Sequence, residues 1–599
     1  MIRGAALRMS TKIAVALGSV VLAGALAQAQ DDVLMRAMKD ELARTMSQIQ
    51  LQKLDKPYFV AYRMDDIDQR QVSATLGSMT QVQPARVRFI GVEVRVGDYA
   101  VDNSNYISAR TFAGGMPGML SSVRQAPLDD NYQQIRRAFW LATDVQYKKA
   151  LEDLSAKRAA LTTHSHNGSV ADFTKEPPLT KFQAAETPNA GKQQMEKLAR
   201  DISVLFKSTP QIYNSSVEIQ YRDYYTRYIN SDGSRFTRSQ PVLKLTISAD
   251  TQADDGTPIS DSIELFGHGL TDLPSEEDLL ARTRAMRDRI LKLRSAASLE
   301  RYNGPVLFEG EAAPEIFSDQ FATGLMAVRS PMSDDSRFEM FFEQMMSQLG
   351  GSSFADKIGG RVLPEFLSVS DNPLVGEYHG AVLLGGSSID DDAVSTRETK
   401  LVDHGILKTL LATRVPTKAV SSSTGSRRGW GPAPSNLFVT AEKPVANADL
   451  RKELLRRAKE RGLDYGIVVR HVGGGGSSTS LIRTAARMAQ GGGDQGTSLA
   501  EVYKVYGDGR EELVQGLEIS DMNPVQFKDI VAVGDSSSVH TEEFIPRVGA
   551  MFSMGMSAFS DVPIVSCVAP SMLFEELSLV KSQGPFPNPP VGPSPLAQK

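Results

Sequence analysis

The chain has 599 residues, of which 41% are apolar and 23% are charged, and its net charge is −5. This length is too great for one hydrophobic core, and the composition is that of an ordinary globular protein. The charge is spread along the chain without a long basic block, which argues against a nucleic-acid-binding protein. The single cysteine, Cys567, rules out an intramolecular disulfide and any zinc site that needs two or more cysteines.

Residues 1–29 have the pattern of a secretory signal peptide. Arg3, Arg8 and Lys12 precede an apolar run from Ile13 to Leu26, and small alanines follow at the spacing of a cleavage site. The run is shorter than the roughly 20 residues that a permanent membrane helix needs. We therefore expect an exported protein, periplasmic or secreted after cleavage, with no membrane span.

Residues 30–300 predict a mixed α/β domain. Apolar residues recur at spacings of three and four from Asp31 to Ile49 and from Tyr132 to Ala160, which predicts two helices. A third helix, capped by Ser275, is expected to end near Ala297. The acidic segment from Asp250 to Asp261 predicts a loop. Alternating apolar and polar residues predict strands at Tyr58–Arg63, Gln71–Leu76, Val87–Val96, Val217–Tyr228 and Val242–Ser248.

Residues 301–582 predict a domain of short antiparallel strands, so the fold class is α+β. The turns Asp403-His404-Gly405 and Gly507-Asp508-Gly509 each separate two short strands, which is typical of hairpins. One helix, Leu450–Arg461, is expected to end at Gly462. Residues 583–599 are rich in proline and predict a disordered tail.

The short motifs that carry chemistry are weak in this chain. His164 and His166 could form a metal pair, but their surroundings favour an exposed loop. Gly473–Gly476 and Gly491–Gly493 lack the lysine of a phosphate-binding loop and predict loops that line a groove. The other histidines are isolated and are expected at the surface or as satisfied core residues: His268, His379, His404, His471 and His540.

Two further motifs have both a chemical and a structural interpretation. Asp390-Asp391-Asp392 could bind a hard cation, but three successive acids on a turn more often form a solvated loop, which is what we expect here. Cys567 lies in the apolar run Val562–Val568 without basic neighbours, so it predicts a small buried strand residue and not a reactive thiol.

Between Ser352 and Lys581 the sequence resembles the TldD/PmbA family at several places in the same order. The similar segments are Ile389–Leu407, Ser423–Gly429, Phe527–Asp535 and Ala569–Leu573. In the first half, only Ile229–Gly233 is similar to a turn of the family. The resemblance implies a mixed α/β domain followed by a β-rich domain whose sheets line a groove, with members pairing as dimers.

Active members of that family hold zinc on a helix motif H-E-x-x-x-H and a distant cysteine. The matching positions here are Pro314-Glu315-Ile316-Phe317-Ser318-Asp319, with Gly555 in place of the cysteine. Only Glu315 is kept, as the one candidate catalytic residue. The resemblance therefore implies no zinc cofactor and a chain closer to the zinc-free PmbA type. It also assigns Arg397, Gly425, Arg427 and Arg428 to a substrate groove.

Two functions remain open at this stage. The first is a zinc-free subunit that binds an extended peptide or protein substrate, or complements a zinc-bearing TldD-like partner in a proteolytic dimer. The alternative is an active peptidase that uses a different metal site or Glu315 alone. Whether the chain is an enzyme is thus undecided from the sequence, and neither hypothesis involves nucleic acid.

The signal-peptide pattern predicts that the mature protein begins near Gln28 or Gln30 and is recovered in the soluble exported fraction, because the apolar run is too short to stay in a membrane. N-terminal sequencing of the purified protein tests this. An intact Met1 on membrane-bound protein would contradict it.

Overall fold

The computed structural model describes residues 32–107, 123–163, 170–186, 190–253, 255–337, 339–340, 354–429, 431–473, 497–520, 522–544 and 562–582, with a few residues of the C-terminal tail. The predicted signal peptide, His164 and His166, Gly491–Gly493, Gly555 and most of the proline-rich tail lie outside these residues. No helix among the described residues is both long and apolar enough to cross a membrane.

The first half of the chain forms a seven-stranded sheet within the described residues. Its order is β3-β2-β1-β5-β6-β4, and β7 also pairs with β6. Neighbouring strands are antiparallel, except that β4 runs parallel to β6. The strands are β1 (Pro57–Thr75), β2 (Ser78–Val96), β3 (Val123–Gln125), β4 (Thr180–Phe182), β5 (Asn214–Asn230), β6 (Arg235–Gln252) and β7 (Pro258–Gly267).

The two strands expected between Tyr58 and Leu76 are one strand, β1. Its polar middle stays in the sheet because its acids are paired across the neighbouring strands: Asp66 Oδ1 lies 2.7 Å from Arg88 Nε on β2, and Asp66 Oδ2 lies 2.6 Å from Arg227 Nη1 on β5. The predicted loop at 250–261 is also shorter than expected, since β6 and β7 pair as far as Gln252 and Pro258.

Four helices of the described residues cover this sheet: α1 (Val33–Gln48), α2 (Tyr132–Thr163), α3 (Lys192–Ser203) and α4 (Glu276–Leu293). α1 and α2 pack on β1 and β2 around Met38, Tyr62 and Phe139, and α3 and α4 pack on β5 and β6 around Met195 and Met286. The predicted cap of α4 is present, because Ser275 Oγ accepts from the backbone N–H of Asp278.

The second half forms a thirteen-stranded sheet in the described part of the chain, which confirms the α+β class. Its main path is β14-β13-β10-β17-β24-β9-β18-β20-β21-β8, with β22 and β23 also pairing with β24 and β19 with β22. The strands are β8 (Ala297–Ser298), β9 (Arg301–Phe308), β10 (Leu367–Asp371), β13 (Thr399–Asp403), β14 (Ile406–Leu407), β17 (Asn436–Ala441), β18 (Tyr465–His471), β19 (Thr497–Leu499), β20 (Glu501–Tyr506), β21 (Glu511–Gln515), β22 (Leu517–Ile519), β23 (Ile530–Glu543) and β24 (Ile564–Lys581).

Two two-stranded ribbons accompany this sheet: β11 (Glu377–Tyr378) with β12 (Ala381–Val382), and β15 (Arg427–Arg428) with β16 (Gly431–Pro432). Both hairpins expected from their turn sequences form, as β13–β14 and β20–β21. Gly462, at a φ of +73°, follows the second-half helix α6 (Asn447–Glu460) as predicted.

Strand β24 lies at the centre of this sheet, and its alternate residues reach two different cores. On one face, Leu573 packs with Leu450 and Leu454 of α6. On the other face, Phe574 packs against Phe308 and Phe527 in the main core, which also holds the short helix α5 (Ala312–Ile316). Cys567 is fully buried on β24, and burial raises its pKa well above the usual value, which agrees with the structural role predicted for it.

Candidate functional site

The helix motif of the predicted site lies directly after β9. α5 continues into a π-helical turn at Phe317–Phe321 and a 3₁₀ turn at Ala322–Leu325. Pro314 occupies the first turn of α5, where a missing backbone N–H removes no helical hydrogen bond. The helix is anchored from the core side by Phe317, which meets Phe527 edge to face, and by Phe321, whose ring is tilted against Phe527. Short π-helical segments are frequent at functional sites.

Glu315 is buried and held by the backbone that follows β18. Its Oε2 accepts a hydrogen bond from the N–H of Val472 at 2.9 Å, and its Oε1 accepts from the N–H of Gly473 at 3.2 Å. Gly473 has a φ of +75°, and a Cβ there would lie 2.5 Å from the Cβ of Ala500, so the position requires glycine. Both carboxylate oxygens are therefore already engaged by the protein itself.

Two histidines that are isolated in the sequence lie next to this helix. His471 Nε2 is 3.7 Å from Glu315 Oε1, and its Nδ1 is 3.1 Å from Asp261 Oδ1 on β7. Burial lowers the pKa of His471, but the charge of Glu315 and the hydrogen bond to Asp261 outweigh this and raise it to about 9. His471 is thus a cation at neutral pH.

The second histidine, His540, lies on β23. Its Nε2 lies 3.8 Å from Glu542 Oε2, and Ser318 Oγ donates to Glu542 Oε1. Burial lowers the pKa of His540, but the hydrogen bond and charge of Glu542, with smaller effects of Glu315 and Glu311, raise it to about 9. A protonated imidazole has no lone pair for a metal ion.

These residues do not fit zinc at the family's positions. Pro314 offers no ligand atom, and Asp319 Oδ2 accepts a hydrogen bond of 2.6 Å from Gln320 Nε2. Among the described residues, no group of three or more histidine, cysteine, aspartate or glutamate side chains is placed to hold a metal ion. Gly555, the third replaced position, lies outside the described residues. A catalytic zinc site needs three protein ligands.

The expectation of a solvated loop at Asp390–Asp392 is wrong. All three aspartates are buried at the contact between the two halves of the chain. Asp391 pairs with Arg63 at 3.2 Å and with Arg238, both from the first sheet, and it also accepts from the N–H of Gly429. The acids are buried because these cations and backbone donors replace water, which the sequence pattern of the turn alone does not reveal.

The surroundings of Asp390 and Asp391 shift their pKa values in opposite directions. Burial tends to raise the pKa of Asp391, but Arg63 and Arg238 outweigh it and hold the pKa well below its usual range. Burial and the charge of Asp392 raise the pKa of Asp390 to about 8. Asp390 accepts hydrogen bonds from the backbone N–H groups of Asp392, Val394 and Arg427, and these bonds hold the turn in place.

The four residues assigned to a groove have different environments. Arg397 is exposed and donates to the carbonyl oxygen of Ser423 at 3.0 Å. Gly425 has a φ of +75°, and a Cβ there would lie 2.7 Å from the Ser395 carbonyl oxygen. Arg427 forms an ion pair with Asp392, with Nη1 3.1 Å from Oδ1. Arg428 lines a cavity of about 210 Å³ between the two halves, so of the four it has the clearest access to a ligand.

Sequence reasoning missed His471, His540, Asp261 and Glu542. Each lies on a strand, and each reaches the Glu315 helix only through the tertiary pairing of distant segments. One signal was available: Glu542 and His540 are two residues apart at the end of an alternating segment, which places them on one face of a strand.

Comparison with known proteins agrees with this fold. Residues 304–581 match the family model described as the PmbA/TldA metallopeptidase C-terminal domain. A candidate modulator of DNA gyrase from Thermotoga maritima aligns with a TM-score of 0.53 at 16% identity, covering 87% of this chain and 96% of its own. TldE from Thermococcus kodakarensis aligns with a TM-score of 0.51 at 13% identity, covering 91% and 100%. No curated protein matches the sequence.

A further candidate gyrase modulator, from Bacteroides thetaiotaomicron, aligns with a TM-score of 0.50 at 10% identity and covers 92% of this chain and 98% of its own. At these identities the structures establish the shared fold, which extends over both halves. Residues 304–581 thus match a domain of the PmbA/TldA metallopeptidase family, and both halves of the chain share the fold of the aligned structures.

Replacing Asp391 by alanine should lower the free energy of unfolding by about 3–5 kcal/mol, because Arg63 and Arg238 would keep buried charges without their shared carboxylate. Urea unfolding followed by circular dichroism measures the loss. Asp403→Ala is the matched control, since Asp403 pairs with Lys400 on an exposed turn and should change little. An equally small effect at Asp391 would contradict the assigned role of the buried pair.

Proposed function

We propose that this protein is an exported, zinc-free member of the TldD/PmbA family that binds an extended peptide or protein substrate, alone or as the partner of a zinc-bearing TldD-like subunit. The observation that carries the proposal is the state of Glu315: both of its carboxylate oxygens accept backbone N–H groups at the position where active members hold their general base. A base already bonded in this way is poorly placed to take a proton from water.

The residues around Glu315 support the same function. Pro314 and Asp319 replace the two histidine ligands, and the two histidines that lie nearby are paired with carboxylates of the protein. Because nearby carboxylates raise the pKa of His471 and His540 to about 9, both rings stay protonated at neutral pH and offer no lone pair to a metal. These residues therefore favour a site without the family's zinc centre.

Export is part of the proposal and rests on the sequence of residues 1–29 alone. Pairing into a homodimer or a heterodimer rests on the family resemblance and on the general preference of soluble assemblies for closed two-fold symmetry. An exported peptide-binding protein needs neither nucleic acid nor a membrane span for this function.

The purified mature protein should contain no stoichiometric zinc after dialysis and cleave no peptide bond, because its motif offers a single carboxylate in place of the family's ligands. Elemental analysis and a generic peptidase assay measure both. About one zinc per chain would refute the zinc-free function, and cleavage without zinc would favour the alternative of a hydrolase that uses Glu315 or another metal.

A variant with Pro314→His, Asp319→His and Gly555→Cys tests the same alignment in the opposite direction, because it restores the family's three zinc ligands. If the alignment of the three ligand positions is correct, this variant should bind about one zinc per chain. A variant that folds, as judged by circular dichroism, yet binds no zinc would show that the ligand positions were wrongly aligned.

The mature protein should also be a two-fold dimer in solution at micromolar concentration, with about twice the mass of one chain by light scattering. A monomer mass without an added partner would contradict the homodimer. The heterodimer would then be tested directly, by adding a zinc-bearing TldD-like chain and measuring the mass again.

A further inference from the structure

The cavity between the two halves of the chain has the size of a subsite. Its walls come from β6 of the first sheet and, in the second half, from Gly386–Ile389, Arg428–Gly429 and Pro563–Ile564. Its volume of about 210 Å³ is below the roughly 300–1,000 Å³ of pockets for drug-sized ligands. Space of this size suits one terminal residue of a longer ligand, with the remainder outside.

Three buried polar atoms on residues of this cavity have no hydrogen-bond partner among the described residues: Arg428 Nε, Arg238 Nε and Gln240 Oε1. Buried polar groups are nearly always satisfied, and leaving one without a partner costs roughly 1–3 kcal/mol. Two of the three are guanidinium donors and the third is an amide acceptor. Together they indicate a ligand that offers both an anionic acceptor and a neutral donor.

The cavity is lined by three cations, Lys181, Arg238 and Arg428, and by two acids, Glu186 and Asp391. Arg428 has no ion pair within the described residues, and burial lowers its pKa although Asp371, Asp391 and Asp390 act in the opposite direction. Among the acids near Arg428, Asp371 has the largest electrostatic effect on it. Ser435 Oγ donates a hydrogen bond to Asp371, and burial raises the pKa of Asp371 to about 6. Asp391 is shared between Arg63 and Arg238. A ligand carboxylate would supply the missing negative charge.

The larger cavity elsewhere in the structure lacks these properties. It has a volume of about 620 Å³ beside α6, and its two arginines are already paired: Arg451 Nη2 lies 2.7 Å from Glu309 Oε2, and Arg470 Nη2 lies 2.9 Å from Glu511 Oε2. Since its cations are neutralised by the protein's own carboxylates, it offers no comparable binding site for an anion.

The small cavity is also connected to the Glu315 site by one pair of strands. Ile564 lines the cavity and pairs with Glu543 across β23 and β24. The preceding residue, Glu542, accepts from Ser318 on the helix turn that follows Glu315. The cavity and the Glu315 helix therefore contact the same pair of strands, β23 and β24.

We propose that this cavity binds the C-terminal residue of a peptide, with Arg428 and Arg238 donating to the terminal carboxylate and Gln240 accepting from the N–H of the last residue. This deepens the proposed function and rests on its peptide-binding part. A C-terminal residue carries both groups two bonds apart on one Cα, whereas an inorganic anion has no such N–H. An acidic side chain separates its carboxylate further from the backbone.

The test uses the full mature protein and three fluorescein-labelled, alanine-rich peptides: one with a free C-terminal carboxylate, the same peptide amidated, and an amidated peptide ending in glutamate. Fluorescence anisotropy should show the free carboxylate binding about 10- to 100-fold more tightly than its amide, the range expected for a charge-assisted hydrogen bond. Arg428→Gln should abolish that difference. Arg284→Gln, an exposed arginine on α4, is the matched control and should preserve it.

Gln240→Leu gives a second line of evidence that does not depend on the folding of the Arg428 variant. It keeps both guanidinium groups and removes only the acceptor. The affinity for the free and the amidated peptide should therefore fall alike, by about 3- to 10-fold. Unchanged binding of both peptides would overturn the role of Gln240 in holding the N–H of the last residue.

The remaining outcomes separate the subsite from the function on which it rests. Equal binding of the free and amidated peptides, unaffected by Arg428→Gln, would overturn the subsite while leaving peptide binding intact. Tight binding of the amidated peptide that ends in glutamate would also overturn it, in favour of an acidic side chain. Failure of all three peptides to bind would overturn both the subsite and the peptide-binding function.

Discussion

The pairing of Asp391 with Arg63 and Arg238 is the interaction on which the arrangement of the two halves depends. The carboxylate comes from the second half and the guanidinium groups come from β1 and β6 of the first sheet. A buried charge without a partner is costly, so the two halves cannot separate or slide without exposing or orphaning these groups. The position of β6 then determines the shape of the cavity beside it, and with it the placement of Arg238.

The contact between the two halves also positions the surroundings of the Glu315 helix. His471, at the end of β18, contacts Asp261 of the first sheet and Glu315 of the second half, so the interdomain contact also places the cation next to Glu315. Arg289 on α4 shares Asp261, at 2.6 Å. A zinc site would require neutral imidazoles, whereas this network of acids keeps the imidazole charged. The carboxylate partners of His471 therefore work against a metal site at this histidine.

Much of this architecture was predictable from the sequence, because periodicity and turn chemistry are local. The helix α4 with its Ser275 cap, the end of α6 at Gly462 and the hairpin at His404 all follow from nearby residues. Features that depend on distant partners were not predictable. The polar middle of β1 remains in its strand only because Arg88 and Arg227 lie opposite, and the acidic turn is buried only because cations of another sheet meet it.

Adjacent arginines at the acidic turn show why a family resemblance alone does not assign roles to single residues. Arg427 and Arg428 are consecutive on the short strand β15, and consecutive strand residues point to opposite sides. One side places Arg427 against Asp392, where it neutralises a buried acid; the other places Arg428 in the cavity, where its Nε has no partner among the described residues. Two residues of the same type and the same motif are therefore separated, by the alternation of a single strand, into one that pairs with a buried acid and one that lines a cavity.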